Sequence, residues 1–373
     1  MQDNNTENLI VLQDLRTDGT ERPHQEKKKM SLHEAEHYER GYEIYGESQL
    51  HRKAERMKEC ANVLRFQKRQ NGELKLYQAW YCKGRFCSMC NWRRSLKIAA
   101  QNKRIVETIN SRHKVRWLFL TLTVKNVNGD ELRDTLTQMT DKFRRLMDYK
   151  PVKRSILGFF RGLEITYDHE KVITKKRYDK NPKYYKKQGL KPGDLNPNFD
   201  KYHPHFHVLV CVKPSYFTTH YIKQKDWQAM WKRAMKLDYD PIVDIRPVKP
   251  KSGQVDLGQV EAEVSDAIKE QKAIFEASKY PVKATDIIQD WDTVRDEAVE
   301  TLYTLDTATA YKRLIGYGGL LKDVHAELKM DDAEEGDLVK VDDEEDDEIS
   351  NAIMEVVAYW HYGMKNYVIK TDL

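Results

Sequence analysis

His203-Pro204-His205-Phe206-His207 opens an apolar run, Val208-Leu209-Val210-Cys211-Val212. Side chains on a strand alternate between faces. His205 and His207 therefore point the same way, roughly 6.5–7 Å apart along the backbone, while Phe206 turns to the opposite face and can pack into a core. Two neutral imidazoles converging at that spacing can share one divalent metal. A single histidine there would more often be a buried core residue, but the pair at a strand mouth favours a metal site. His203 falls on the same alternation, yet residues four apart on a strand lie roughly 13 Å apart, too far to bind one ion together. Pro204 lacks the N–H that a strand interior uses, so it is expected to be the strand's first residue. His205 and His207 are thus the expected ligands, and His203 a rim residue.

A two-histidine site needs a further ligand. Glu164 lies in the preceding strand, Ile156–Thr166, which ends Arg161-Gly162-Leu163-Glu164-Ile165-Thr166. If the two strands pair, the end of one approaches the start of the next. A mixed His/carboxylate set leaves positions for water or substrate on Mn²⁺ or Mg²⁺, as Lewis-acid work on a phosphate requires. The alternative for Glu164 is an ordinary strand-edge carboxylate. Between the strands runs a loop, 168–201, crowded with Lys, Tyr, Asn and Pro. Its cations and Tyr178, Tyr184, Tyr185 and Phe199 suit a single-strand contact, with a solvated hairpin loop as the competing reading.

Elsewhere, Trp117–Val124 reads as a strand, followed by an Asn128-Gly129-Asp130 turn and a helix with Leu132, Leu136, Met139, Phe143 and Leu146 at helical spacing. Arg93–Asn110 and Tyr221–Leu237 read as further helices, the second burying Trp227, Met230 and Trp231. Pro241–Val248 is another strand, and Val255–Lys279 a long helical pattern. Strands and helices mixed at these spacings predict an α+β fold on a central antiparallel sheet flanked by helices. No phosphate-cradling G-x-x-x-x-G-K-[ST] loop occurs, so nothing points to an ATPase.

The 373 residues are 40% hydrophobic and 33% charged, with no run approaching the length of a membrane span. The first thirty residues lack an apolar signal core, which favours a cytoplasmic, reducing location and argues against a disulfide framework for the five cysteines. The net charge of +5 hides an asymmetry: residues 331–348 hold twelve Asp/Glu against one Lys, leaving +16 on the remainder. A body so basic suits nucleic acid. The acidic stretch is expected to be a solvated linker, or a competitor of DNA for the basic surface.

Two more constellations carry chemistry. In Glu276-Ala-Ser-Lys279-Tyr280-Pro-Val-Lys283, a phenol of ordinary pKa about 10 needs cations or a polarised phosphorus nearby to act as nucleophile, and both lysines are placed to help. Glu276, one helical turn earlier, could take a proton from water, although Pro281 should end or kink the helix there. Cys82, Cys87 and Cys90, with Cys60 as a fourth, suit tetrahedral Zn²⁺; the alternative is a set of reduced, buried thiols. Arg85, Arg93 and Arg94 beside Trp92 would make this a DNA-contacting module. Cys211 is expected in the core.

His205-Phe206-His207 resembles the histidine–hydrophobic–histidine motif of the HUH endonucleases. The wider set is similar to the replication initiators of Gram-positive rolling-circle plasmids. Those carry a Phe-Leu-Thr-Leu-Thr strand (here Phe119–Thr123), then the two-His strand, then a nucleophilic Tyr with Lys three residues on, here Tyr280 and Lys283. Glu276 matches a branch with Glu four residues before the Tyr, and Cys-Ser-Met-Cys-Asn-Trp-Arg-Arg at 87–94 also resembles that branch. The likeness spans about residues 60–290.

It implies origin DNA as partner, metal on His205, His207 and Glu164, and attack by Tyr280 to leave a 5′-phosphotyrosyl link and a free 3′-OH. It also implies termination by water activated at Glu276, a host helicase and polymerase, and compatibility with a homodimer. The expected organisation is a flexible polar arm (1–50), a basic Cys-rich helical DNA-binding module (51–112) with Arg93, Arg94 and, further on, Lys279 contacting DNA, and an HUH nickase domain (113–290). A helical extension (291–330), an acidic linker (331–348) and an aromatic C-terminal segment (349–373) complete it. The competing readings are an HUH relaxase or single-strand transposase, and a non-catalytic zinc-dependent DNA-binding repressor.

Overall fold

The structure, a computed structural model, describes residues 9–16, 19–248, 288, 293–341 and 352–370. The helix expected over 255–279 lies outside them. Ten strands are described: β1 (Leu9–Val11), β2 (Val63–Arg69), β3 (Leu74–Ala79), β4 (Arg116–Thr123), β5 (Ile156–Asp168), β6 (Lys201–Val212), β7 (Val243–Val248), β8 (Ile315–Gly319), β9 (Ala352–His361) and β10 (Asn366–Lys370). They form two antiparallel sheets, β1-β10-β9-β2-β3 and β7-β4-β6-β5-β8. The fold is α+β. Each sheet belongs to its own compact unit. One unit comprises Met1–Arg104, Lys283–Tyr303 and Lys329–Leu373, and the other Ile105–Val282 and Thr304–Leu328. Among the described residues, no helix is long and apolar enough to cross a membrane.

In the second unit, alternation along β6 divides the sheet as the sequence implies. Phe206, Val208, Val210 and Val212 face a layer made by the helices Gly129–Met147 and Gln224–Met235. Phe143 of the first helix packs edge-on against Phe206, and Trp231 of the second reaches Phe206 and donates its indole N–H to the Thr123 carbonyl. Trp227, Met230 and Trp231 are buried, as their spacing predicted. An Asn128 capping box, closed reciprocally by Glu131, fixes the start of the first helix.

The strand itself corrects one expectation. β6 begins at Lys201, and Pro204 sits inside it, opposite Ile165 of β5. Tyr202 exchanges both backbone bonds with Val127, and Pro204, two residues on, turns its nitrogen to that same side. β4 pairs no further along β6 than His205, so the missing N–H leaves no ladder bond unmade there.

Four expected segments differ. Residues 24–45, expected within a flexible arm in which Glu34–Tyr45 alone could form a short helix, make a 22-residue helix whose buried face carries Lys28, Ser31, Glu34 and Ala35. Polar side chains there find partners inside the unit, so no apolar period betrays the helix's first part. The Cys-rich module is not purely helical: it contains the β2–β3 hairpin, which β9 of the C-terminal segment extends. Residues 331–341, expected within a solvated linker, bury Ala333, Leu338 and Val341. Asp331 there accepts from Lys97 Nζ at 2.6 Å. The extension 291–330 supplies not only helices but also β8, which pairs with β5.

Candidate metal centres

Register brings the predicted ligands together. β5 and β4 flank β6, placing Glu164 and Thr123 opposite His205, and Gly162 and Thr121 opposite His207. Glu164 Oε2 lies 3.0 Å from His207 Nε2 and 3.5 Å from His205 Nε2. Neighbouring ligands on an octahedral ion bound at ~2.1 Å would be about 3.0 Å apart. The ring orientations fit a metal as well. His205 Nδ1 donates to the His203 carbonyl at 3.2 Å, which turns its Nε2 toward Glu164. His207 Nδ1 meets Thr121 Oγ1 at 3.3 Å and the ring leans on Phe119. Such outer contacts set the tautomer and orientation of metal-binding imidazoles. Gly162, opposite His207, adds no side chain to the site. Burial pulls the Glu164 carboxyl upward, but hydrogen bonds and charge from both histidines outweigh it and hold the group well below the usual carboxylate range. His203 stacks on His205 outside the ligand set, and burial and His205 depress it to about 4. It is a neutral rim residue.

The first unit holds the second centre. Cys60, Cys82, Cys87 and Cys90 are all buried and free of disulfides. The Cys60–Cys90 and Cys82–Cys90 sulfurs are 3.6 Å apart, and Cys60–Cys87 3.7 Å. A tetrahedron of thiolates at ~2.3 Å from zinc has edges of about 3.8 Å, so the donor set fits that ion. Hydrogen bonds from the other three thiols and the Gly84 N–H pull Cys82 far down, while burial pushes Cys60 and Cys90 up. The helix His24–Tyr45 lines this centre. Ser31 Oγ lies 2.7 Å from Cys87 Sγ. Lys28 Nζ donates to the Lys58 and Cys60 carbonyls at 2.7 Å each, and burial lowers it to about 8. Glu34 accepts from the backbone and hydroxyl of Ser88, where the helix bearing Cys90 begins.

The comparisons with known proteins bear on this pairing of centres. Residues 73–368 match the family described as "Replication protein". The chain belongs to that family. It is 48% identical over 361 residues to "Protein rep" of Bacillus amyloliquefaciens, covering 96% of this chain and 97% of that one. It is 38% identical over 320 residues to "Protein rep" of Streptococcus pneumoniae, covering 85% and 84%. A "Replication protein" of Staphylococcus aureus is 38% identical over 279 residues, 74% of this chain and all of that one. No solved structure matches. The resemblance to plasmid replication initiators of Gram-positive bacteria therefore holds, and it runs past residue 290 to 368, where β9 and β10 complete the first sheet.

In this replication protein one expectation is overturned. Arg93 and Arg94, expected to contact DNA, are buried, and their guanidinium groups are used internally. Arg93 donates to the Leu338 and Val339 carbonyls at 2.9 and 2.7 Å, and Arg94 to those of Glu334, Gly84 and Lys83. Both hold residues 334–339 in place rather than a phosphate. Cys211 is a core residue, its thiol pushed up to about 12 by burial. Glu276, Lys279, Tyr280 and Lys283 lie outside the described residues. Sequence reading missed Thr121, Ser31 and Lys28. Thr121 was findable, since it alternates with Phe119 and Thr123 on a strand already identified. Ser31 and Lys28 carried no local signal.

Proposed function

We propose that this replication protein starts rolling-circle replication of a plasmid by nicking one strand of its origin. The observation that carries the reading is the convergence of Glu164, His205 and His207 on one point of a sheet face. A Mn²⁺ or Mg²⁺ ion held there would supply Lewis-acid polarisation of one phosphodiester. The hydroxyl of Tyr280 attacks that phosphorus, forming a 5′-phosphotyrosyl bond as the 3′ oxygen leaves to become a primer hydroxyl. One ester replaces another, so no nucleotide hydrolysis is needed. Lys279 and Lys283 stabilise the phenolate or the phosphate charge. Glu276 later takes a proton from water, which hydrolyses a second ester and ends the round. The four cysteines hold a structural zinc that fixes the first unit. Origin DNA, a host helicase and a host polymerase are the partners of this chemistry.

Trapping on an origin strand labelled 3′ of the nick tests the reading. Wild-type protein with Mn²⁺ should become covalently labelled, and Tyr280→Phe should not. Label on the Tyr280→Phe protein would move the nucleophile elsewhere. Glu276→Ala should spare nicking and impair termination; equal loss of both would reduce Glu276 to a structural role.

A further inference from the structure

The β5–β6 hairpin that carries the three metal ligands continues beyond them. Thr166 pairs with His203 and Asp168 with Lys201, about 13 Å along the strands from Glu164. Residues 169–200 at its tip form a folded module. The short helices Lys175–Lys180 and Pro182–Lys187 are capped by the side chains of Thr174 and Asn181. A Val172–Leu195 bridge and the Ile173–Asp194 and Asn196–Lys171 backbone bonds close its base. Buried Asp168 anchors it to β5, taking both terminal nitrogens of Arg177 and the Asn196 amide. Arg177 in turn donates to Tyr185 Oη, and Tyr185 stacks on Tyr178.

The outer surface of this module is its unusual part. Lys171, Lys175, Lys176, Lys180, Lys183, Lys186, Lys187 and Lys191 are all exposed. Among the described residues none of them forms an ion pair; Lys171 rests on the Phe199 ring. Residues 169–200 carry a net +5. Buried carboxylate and amide groups hold this concentration of like charge in one geometry, which repels itself unless an anion covers it. A solvated loop would need no such anchor. Half-exposed tyrosine rings among the lysines add faces on which bases can stack.

We propose that residues 169–200 are the docking surface for the single-stranded DNA that leads away from the Glu164–His205–His207 site. This inference rests on the nicking reading and names the surface that holds its substrate. The phosphates lie along the lysines, and the rigid Asp168–Arg177–Asn196 anchor fixes the strand's direction relative to the metal ligands.

The test uses full-length protein and a fourfold variant, Lys175→Gln, Lys176→Gln, Lys183→Gln and Lys186→Gln, with unchanged circular dichroism and melting as controls. Fluorescence anisotropy measures binding of a labelled single strand, and of the same sequence as a duplex, across a salt series. For the single strand, the slope of log affinity against log salt should shrink by about 3, at ~0.7 per lost phosphate contact, and low-salt affinity should fall at least about tenfold. Duplex binding should change less. An unchanged single-strand slope, or an equal loss for duplex, overturns the proposal. Covalent trapping runs alongside: an unaltered slope with trapping intact in wild type rejects the docking surface and leaves the nicking reading standing. Wild-type binding without any trapping rejects the nicking reading, on which the proposal depends.

Discussion

Glu164 is the residue on which the site turns, because its single Oε2 faces both histidine Nε2 atoms. Glu164→Gln keeps the shape and removes the charge. Loss of an outer-shell partner typically costs 10–100-fold in metal affinity or activity. Loss of a direct ligand, the role proposed for Glu164, should therefore cost at least about a hundredfold in the proposed Mn²⁺-dependent cleavage, measured on a single-stranded oligonucleotide. The same side chain gives the metal-free protein a pH signature. Its folded pKa is depressed, against an unfolded value of about 4.3, so it contributes stability that is present above that value and lost as pH falls toward the folded one. Urea unfolding of metal-free protein should show stability falling from about pH 5 downward, and Glu164→Gln should flatten that slope. An identical slope in both proteins would remove Glu164 from the acid response.

The helix His24–Tyr45 shows how an element can matter through its polar face. Lys28 and Ser31, one turn apart, touch the backbone of one cysteine of the candidate zinc site and the sulfur of another. Lys28→Met and Ser31→Ala should each weaken zinc retention by about 10–100-fold, read by competition with a chromogenic zinc indicator. Retention equal to wild type would make this face mere packing. The same helix marks where sequence reading stops. β6 was legible because its information is local: alternation places Phe206 inside and both histidines outside. Glu164 was legible because antiparallel pairing follows from two strands joined by one loop. Arg93 and Arg94 were not, since a basic pair beside cysteines looks the same in sequence whether it meets phosphate or carbonyls some 240 positions away. Pro204 misled because a proline's cost depends on which neighbour its nitrogen faces, which only the register reveals. The proposed nucleophile segment around Tyr280 was read from the residue chemistry and the resemblance alone.

At the scale of the whole molecule, the two candidate centres lie in different units, and their chemistry separates what each metal should control. Glu164, His205 and His207 sit on a sheet already held by Phe206, Trp231 and Phe143 on its other face, so the site does not need an ion to fold. The four cysteines are buried beside the helix His24–Tyr45 and the start of the helix Ser88–Arg112, and structural zinc in such a setting contributes folding energy directly. Brief treatment with EDTA, which strips weakly held Mn²⁺ or Mg²⁺ first, should abolish cleavage without moving the melting curve, and added Mn²⁺ should restore it. A thiol-directed mercurial should release about one zinc per chain, as a four-thiolate site binds, and lower one of two unfolding transitions while the other stays in place. Zinc release measured by mass spectrometry, set beside calorimetric scans, reads both effects on one sample. If mercurial treatment releases no zinc, or if EDTA alone shifts the first transition together with activity, the division of labour between the two centres fails.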